Sequence, residues 1–160
     1  MLDILRRVIQ EVNAAQDLPS ALDIIVERVQ SSMGTQVCSV YLLDEERNQY
    51  VFSATRGLNA EAIGQVALNT DEGLVGLVGE RAEPVNLDDA PEHSRYHYVK
   101  EIGEEPFHSF LGVPIIHHRK VLGVIVVQQQ EKRRYDESEE AFLITLSAQL
   151  AGVIAHASAT

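Results

Sequence analysis

The side chains best suited to bind a ligand or a metal lie together in stretch 92–100, which reads Glu-His-Ser-Arg-Tyr-His-Tyr-Val-Lys. His93 and His97 are four residues apart, so a helical turn would place both on one face. A metal site would need a third ligand, for which Glu101 is one of several nearby acids. Arg95 has the planar guanidinium that binds both oxygens of a carboxylate. Three interpretations stay open: a metal site, a solvated loop, and a lid that contacts a small ligand.

A second stretch of interest is the glycine-rich 71–79, Asp-Glu-Gly-Leu-Val-Gly-Leu-Val-Gly. Glycines at every third position match neither the dinucleotide-binding fingerprint nor the phosphate-binding P-loop, so we expect no nucleotide site. The pattern predicts a short helix over 72–80 whose glycines allow close packing on a sheet. Its N-terminus, near Glu72 and Gly73, would offer backbone N–H groups to an anionic ligand group.

No other part of the sequence specifies a catalytic or metal site. The single cysteine, Cys38, excludes an intramolecular disulfide and a multi-cysteine zinc site. It lies at the start of a predicted strand, where we expect a buried, inert side chain. No Gly-x-Ser-x-Gly elbow is present. We therefore predict no catalytic residue, no metal and no cofactor.

The charge of the chain argues against two classes of partner. The 160 residues carry 13 Lys and Arg against 24 Asp and Glu, a net charge of −11. Such a chain repels nucleic acid and anionic membranes, and the basic residues 117–120 are interpreted as a hairpin tip. Its apolar runs are shorter than the about 20 residues of a membrane span. We expect no nucleic acid, no membrane and, with one cysteine, a cytoplasmic location.

Hydrophobic periodicity predicts the elements that must position these residues. The predicted helices are 2–12, 20–33, 72–80 and 136–160, and the predicted strands are 37–44, 49–56, 65–69, 110–116 and 121–128. Capping boxes are predicted at Ser20 with Asp23 and at Asp136 with Glu139. The stretch from Ala82 to about Ser109 has no clear period, which is typical of a binding loop or of disorder.

This element order predicts one α+β domain with a mixed or antiparallel sheet covered by helices. The first and last helices also carry apolar seams that either cover the sheet or mediate self-association in a helical bundle. As a dimer interface, the seams would use Leu2, Leu5, Ile9, Leu143, Leu146, Leu150 and Val153. Helix-forming residues continue to Thr160, from which we expect a fragment of a longer protein.

Two segments resemble the GAF domains, a family of small-molecule-sensing modules. The first is DEGLVGLVGERAEPVNLDDA (71–90), and the second is 110–155, with its GVPI and GVI strands and a Tyr-Asp-Glu before a long helix. The resemblance implies a single GAF domain over 1–160. It also implies a central antiparallel sheet of about six strands, with the N- and C-terminal helices on one face and a long loop and short-helix crossover over the other.

A narrower resemblance is to the N-terminal sensor of nitrogen-type phosphoenolpyruvate–protein phosphotransferases. It is carried by VCSVYLLD (37–44), ATRGLN (54–59), HSRYHY (93–98) and EEAFLITLSAQLA (139–151). In that family the sensor precedes a catalytic region, absent here, that passes a phosphoryl group from phosphoenolpyruvate through a histidine to a carrier protein. The resemblance implies a regulatory domain in nitrogen-related signalling, with glutamine or 2-oxoglutarate as the class of effector, and no enzyme activity in this chain.

The sequence departs from the signatures of other GAF groups, and these departures narrow the class of ligand that we expect. Tyr135-Asp136-Glu137 matches only the end of the cyclic-nucleotide signature, and Cys38 lies on the first strand, outside the region where bilins attach. The candidate ligand-binding residues are Ser39, Tyr41, Glu72, Gly73, Asn86, His93, Arg95, Tyr96, Tyr98 and Phe110. The alternative is a dimerisation or docking module with a vestigial pocket, in which the helix seams matter and the loop does not.

Overall fold

The computed structural model describes residues 2–103 and 107–159, with the side chains of 3–103 and 107–157. The helices are α1 (Leu2–Asn13), α2 (Leu18–Met33), α3 (Gly73–Arg81) and α4 (Glu137–Ala159). The strands are β1 (Val37–Asp44), β2 (Gln49–Arg56), β3 (Ala67–Asn69), β4 (Val85–Leu87), β5 (Ser109–His117) and β6 (Lys120–Gln129). The strands form one antiparallel sheet in the order β3-β2-β1-β6-β5-β4. The predicted α+β class and six-stranded antiparallel sheet are confirmed.

The sheet separates two hydrophobic clusters, because successive side chains of a strand point to opposite faces. On what we call the helix face, Cys38 and Val40 of β1 pack with residues of α1, α2 and α4. On the cavity face, Tyr41 of β1 packs with residues of α3 and of the segment after β4. Phe52 also joins the cavity face, opposite Tyr41 across a β-bulge.

Helix α4 begins at the capping box that its sequence predicts. The N–H of Glu139 donates to the Asp136 carboxylate at 2.8 Å, and the N–H of Asp136 donates back to Glu139 at 3.0 Å. Among the described residues, only Glu137–Ala157 is long and apolar enough to cross a membrane by length and composition, criteria that a core helix also meets. Here Leu143 and Leu146 are fully buried on the helix face.

Two local predictions were wrong. The capping box of Ser20 with Asp23 does not form, because α2 begins earlier: Asp17 is the N-cap, and its carboxylate accepts the Ser20 N–H at 2.8 Å. Pro19 occupies the first turn of this helix, where a missing N–H costs no hydrogen bond. The stretch predicted as irregular contains β4, which is too short to show a period and pairs with β5 at the sheet edge.

Candidate functional site

A cavity of about 90 Å³ lies on the cavity face, beneath the segment that follows β4. We call residues 88–103 the lid. The cavity walls are mainly apolar and aromatic. They consist of Tyr41, Leu58, Leu68, Gly73, Leu74, Val75, Ala90, Tyr96, His97, Tyr98, Val99, Ile102, Gly103, Phe107, Phe110, Val126 and Gln128. This size is below the roughly 300–1,000 Å³ of drug-sized sites, so it suits a compact ligand.

A few polar ties hold the lid in place. At its far end, the Asn59 N–H donates to the Ile102 carbonyl at 2.7 Å, and the Asn59 side chain donates to the Glu101 carbonyl at 3.1 Å. Near its start, the Asp89 carboxylate bonds the His108 imidazole at 2.8 Å, and this bond lowers the pKa of Asp89. The lid is therefore attached at both ends, with its middle over the cavity.

Arg95 fastens the middle of the lid to α3. Its guanidinium donates to the Glu80 carboxylate at 3.0 Å and to the Asp71 carbonyl at 2.9 Å. The bond from Arg95 lowers the pKa of Glu80. Arg95 was predicted as a ligand-binding cation; in the structure its charge is paired with Glu80, and it is not among the cavity-lining residues.

The wall formed by the sheet contributes two polar side chains without partners. Tyr41 is only 6% exposed, and its hydroxyl has no hydrogen-bond partner among the described residues. Burial raises the pKa of Tyr41, so the phenol stays protonated. Gln128 of β6 is half-buried, and its side-chain amide likewise has no partner within 2–103 and 107–159. Both side chains can bond a ligand without breaking an existing contact.

The N-terminus of α3 contributes backbone donors. Gly73, which lines the cavity, has φ +69°, a left-handed conformation that favours glycine. The helical bonds begin with the Gly76 N–H, which donates to the Glu72 carbonyl at 3.1 Å. The earlier N–H groups, from Gly73 to Val75, have no partner within the helix and carry its positive dipole end. The first turn can hold an anionic or carbonyl oxygen.

The structure brings half of the predicted ligand-binding residues together and separates the other half. The cavity-lining ones are Tyr41, Gly73, Tyr96, Tyr98 and Phe110. The Tyr98 hydroxyl donates to the Gly103 carbonyl at 2.7 Å and so supports the lid. Tyr96 has a free hydroxyl in the described part of the chain, and burial raises its pKa.

Besides Arg95, four predicted residues do not line the cavity, and their side chains make local hydrogen bonds. Ser39 bonds Thr55 at 2.9 Å across β1 and β2. Glu72 accepts the N–H of Asn69, and the His93 imidazole accepts the N–H of Arg95.

Asn86 is the fourth, and it points to α4 rather than to the cavity. Its amide donates to the Tyr135 carbonyl and to the Glu140 carboxylate, both at 2.9 Å. Its side-chain oxygen accepts the N–H of Tyr135 at 3.2 Å. Asn86 therefore ties β4, immediately before the lid, to the start of α4.

Three leucines of the predicted dimer seam lie in the core of the domain. Leu143, Leu146 and Leu150 are 0%, 0% and 2% exposed because they pack within the helix-face core. Leu5, Ile9 and Val153 are half-buried against the same cluster, and the side chain of Leu2 lies outside the described residues.

Sequence reasoning missed several cavity residues. Gln128 could have been found from strand alternation, since it follows Val124 and Val126 at a spacing of two on β6. Leu58, Ile102 and Phe107 carry no such signal, because they lie in irregular segments. The predicted burial of Cys38 is confirmed at 0% exposure. Among the described residues, no group of three His, Cys, Asp or Glu side chains has the arrangement of a metal site.

Comparison with known proteins identifies the family. The GAF domain family model matches residues 17–154. The chain belongs to the GAF domain family. The predicted resemblance is thus confirmed, and it extends to solved structures. The GAF domain of an Acinetobacter phosphoenolpyruvate-protein phosphotransferase is 52% identical with a TM-score of 0.93, and the match covers 99% of this chain and 95% of that one.

Two further relatives are also described as phosphotransferase proteins. The GAF domain of a phosphoenolpyruvate-protein phosphotransferase from Coxiella burnetii is 48% identical with a TM-score of 0.94, over 99% of this chain and 94% of that one. A protein of Salmonella typhimurium described as phosphoenolpyruvate-dependent phosphotransferase system is 50% identical over the whole chain. The chain spans 21% of that relative's length. This GAF domain is therefore similar to the regulatory domain of phosphotransferases several times its length.

Proposed function

We propose that this GAF domain is a cytoplasmic small-metabolite sensor that controls a phosphoenolpyruvate-dependent phosphotransferase region of the same protein in nitrogen-related signalling. The cavity carries the proposal: an apolar pocket under a tied lid, with unpartnered polar groups at its walls, is the usual form of a small-ligand site. The similarity to GAF domains of phosphoenolpyruvate-protein phosphotransferases supports the identity of the regulated region.

The proposed ligand belongs to the glutamine or 2-oxoglutarate class. Both molecules are compact, as the cavity of about 90 Å³ requires, and both carry oxygens that can accept hydrogen bonds. The first turn of α3 offers N–H donors to such an oxygen. The side-chain amide of Gln128 and the hydroxyls of Tyr41 and Tyr96 offer further bonds on the surrounding walls.

Signal transfer would run from the lid to α4. A ligand acts only through its difference in affinity between two arrangements of the protein. Asn86 provides the contact for this difference: β4 leads into the lid, and the Asn86 side chain holds Tyr135 and Glu140 at the start of α4. Movement of the lid on ligand binding would alter these bonds and with them the position of α4.

Isothermal titration calorimetry tests the sensor proposal. L-glutamine, 2-oxoglutarate and cyclic nucleotides are titrated separately into the folded domain, and thermal unfolding is followed with each. We expect saturable heat and a raised unfolding temperature with glutamine or 2-oxoglutarate, and neither with cyclic nucleotides. Folded protein that shows no heat and no thermal shift with either metabolite would contradict the proposal.

A second candidate function is homodimerisation or docking through the terminal helices. Two exposed isoleucines favour it: Ile4 on α1 is 39% exposed and Ile144 on α4 is 39% exposed. If this function prevails, the Ile4→Glu and Ile144→Glu variants dissociate a dimer measured by sedimentation velocity. Replacement of Arg95 and Tyr96 would then leave regulation unchanged, whereas a sensor would lose its response.

A further inference from the structure

Tyr41 differs from most buried hydroxyl groups of the described chain. Ser39 is paired with Thr55 at 2.9 Å, and Ser109 is paired with Tyr135 at 3.1 Å. Leaving a buried hydroxyl without a partner destabilises a fold. The Tyr41 hydroxyl is unpaired among the described residues, although its side chain is 94% buried on the cavity wall (6% exposed).

Among the described residues, the one buried hydroxyl oxygen without a partner is that of Ser147, and the Tyr50 hydroxyl also has no hydrogen-bond partner; neither residue lines the cavity. Ser147 lies in the helix-face core. Tyr50 is 3% exposed, and its hydroxyl lies against Gly79 of α3, where an added Cβ would come within 1.9 Å. Of the tyrosines whose hydroxyls have no partner among the described residues, Tyr41 is the buried one that lines the cavity, where a bound molecule can bond it.

The charges around the cavity limit what this molecule can be. None of the described cavity-lining residues is Lys, Arg, Asp or Glu, and the one imidazole among them belongs to His97, which lies 4.0 Å from the Glu72 carboxylate. A dianion would enter without a cation to neutralise it, which is costly in an apolar cavity. A single carboxylate can be held by the N–H groups at the α3 N-terminus.

The aromatic walls supply the complementary interaction. Tyr41, Tyr96 and Phe110 line the cavity, and the faces of aromatic rings attract a ligand ammonium group. A zwitterion would therefore find partners for both of its charges without any charged side chain.

We propose that Tyr41 and the N-terminus of α3 form the recognition pair of the cavity, and that they select a zwitterionic amino acid with an uncharged side chain over a dicarboxylate. The α3 N–H groups hold the ligand carboxylate, and the Tyr41 hydroxyl bonds a second polar group of the ligand. This inference rests on the sensor function proposed above and specifies which groups choose the ligand.

The test measures how tightly a series of three ligands binds to each of two variants. Tyr41→Phe removes the hydroxyl from the cavity, and Tyr50→Phe removes the same atom from a buried tyrosine of the cavity face that does not line it. Calorimetry is run with L-glutamine, L-glutamate and 2-oxoglutarate, which differ in net charge at similar size. Thermal unfolding shows that both variants are folded.

We expect the wild-type protein to bind L-glutamine most tightly, L-glutamate less and 2-oxoglutarate least. Loss of one hydrogen bond should weaken glutamine binding about 3–10-fold in Tyr41→Phe and leave Tyr50→Phe unchanged. The unfolding temperature of ligand-free Tyr41→Phe should stay close to that of wild type, because the hydroxyl has no hydrogen bond to lose within the described residues.

The outcomes distinguish this inference from the sensor function. Equal affinity of wild type and Tyr41→Phe for glutamine, or tighter binding of 2-oxoglutarate, overturns the recognition pair and leaves the sensor standing. An equal loss in Tyr50→Phe also overturns it, because the effect would then be general to the cavity face. No binding of any of the three ligands to folded wild type overturns both.

Discussion

The two faces of the sheet are built from the same strands but differ in how closely they are packed. On the helix face, three helices cover the sheet, and Val40, Ile125 and Leu146 are at most 1% exposed. The cavity face is covered by the nine-residue α3 and a lid, and it retains a cavity of about 90 Å³ and a phenol, that of Tyr41, with no partner in the described part of the chain. The comparison indicates that the helix face is packed for stability, while the cavity face leaves a space that the proposed ligand would fill.

The largest difference between the faces should come from the helix-face core. Leu146→Ala removes a fully buried side chain and should lower the free energy of unfolding by about 2–5 kcal/mol, measured by urea denaturation. The control, Ile144→Ala, alters an exposed side chain of the same helix and should cost less than about 1 kcal/mol. A Leu146→Ala protein as stable as wild type but altered in oligomeric state would restore this residue to a dimer interface.

A smaller effect is expected where α3 meets the sheet. A Cβ added at Gly112 would lie 2.8 Å from Val78 of α3 and 2.8 Å from the Phe110 ring, which lines the cavity. Gly112→Ala should therefore destabilise the domain by about 1–3 kcal/mol through overpacking and also weaken glutamine binding in calorimetry. Gly152→Ala, with open space around its Cβ, is the control. Unchanged stability and binding in Gly112→Ala would show that α3 is not closely packed on the sheet.

The capping network of α4 predicts a pH-dependent effect. The bidentate bond from Arg133 lowers the pKa of Glu139 below its usual 4.5. A carboxyl with a lowered folded-state pKa stabilises the protein above its unfolded pKa and loses that contribution as pH falls through the folded one. Glu139→Gln should cost about 1 kcal/mol at pH 7, and the gap from wild type should shrink in acid, as measured by thermal unfolding. A gap that is constant from neutral to acidic pH would contradict this role.

The smallest effect on stability is expected at the tie between the lid and α3. The side chains of Arg95 and Glu80 are 28% and 45% exposed, and such solvent-screened pairs contribute little to stability. Arg95→Gln should leave global unfolding nearly unchanged but speed glutamine dissociation, measured by stopped-flow. The control is Arg47→Gln, because Arg47 is an exposed arginine of the β1–β2 turn and lies outside the lid. Dissociation at the wild-type rate would show that this pair does not retain the lid.

How much of the structure the sequence predicts also differs between the two faces. Periodic residues gave α1, α4 and the two hairpins nearly at their bounds, since burial on one face imposes a period. The cavity depends on irregular segments, where residue type suggested that His93 and Arg95 are ligands while their hydrogen bonds serve the lid. Strand alternation places Ser39 and Tyr41 on one face of the sheet but does not say which face holds a cavity, because the void beside Tyr41 comes from tertiary packing that no local pattern contains.

Hydrogen exchange of the ligand-free and glutamine-saturated domain tests most directly whether ligand binding involves the cavity face and not the helix face. Amide exchange reports local opening, which is easiest in segments with few buried contacts. The account predicts slower exchange on binding in the lid, 88–103, and in the first turn of α3, with α1 and α2 unchanged. Protection confined to α1 and α2, or glutamine binding with no change in the lid, would contradict the assignment of the cavity face to ligand sensing.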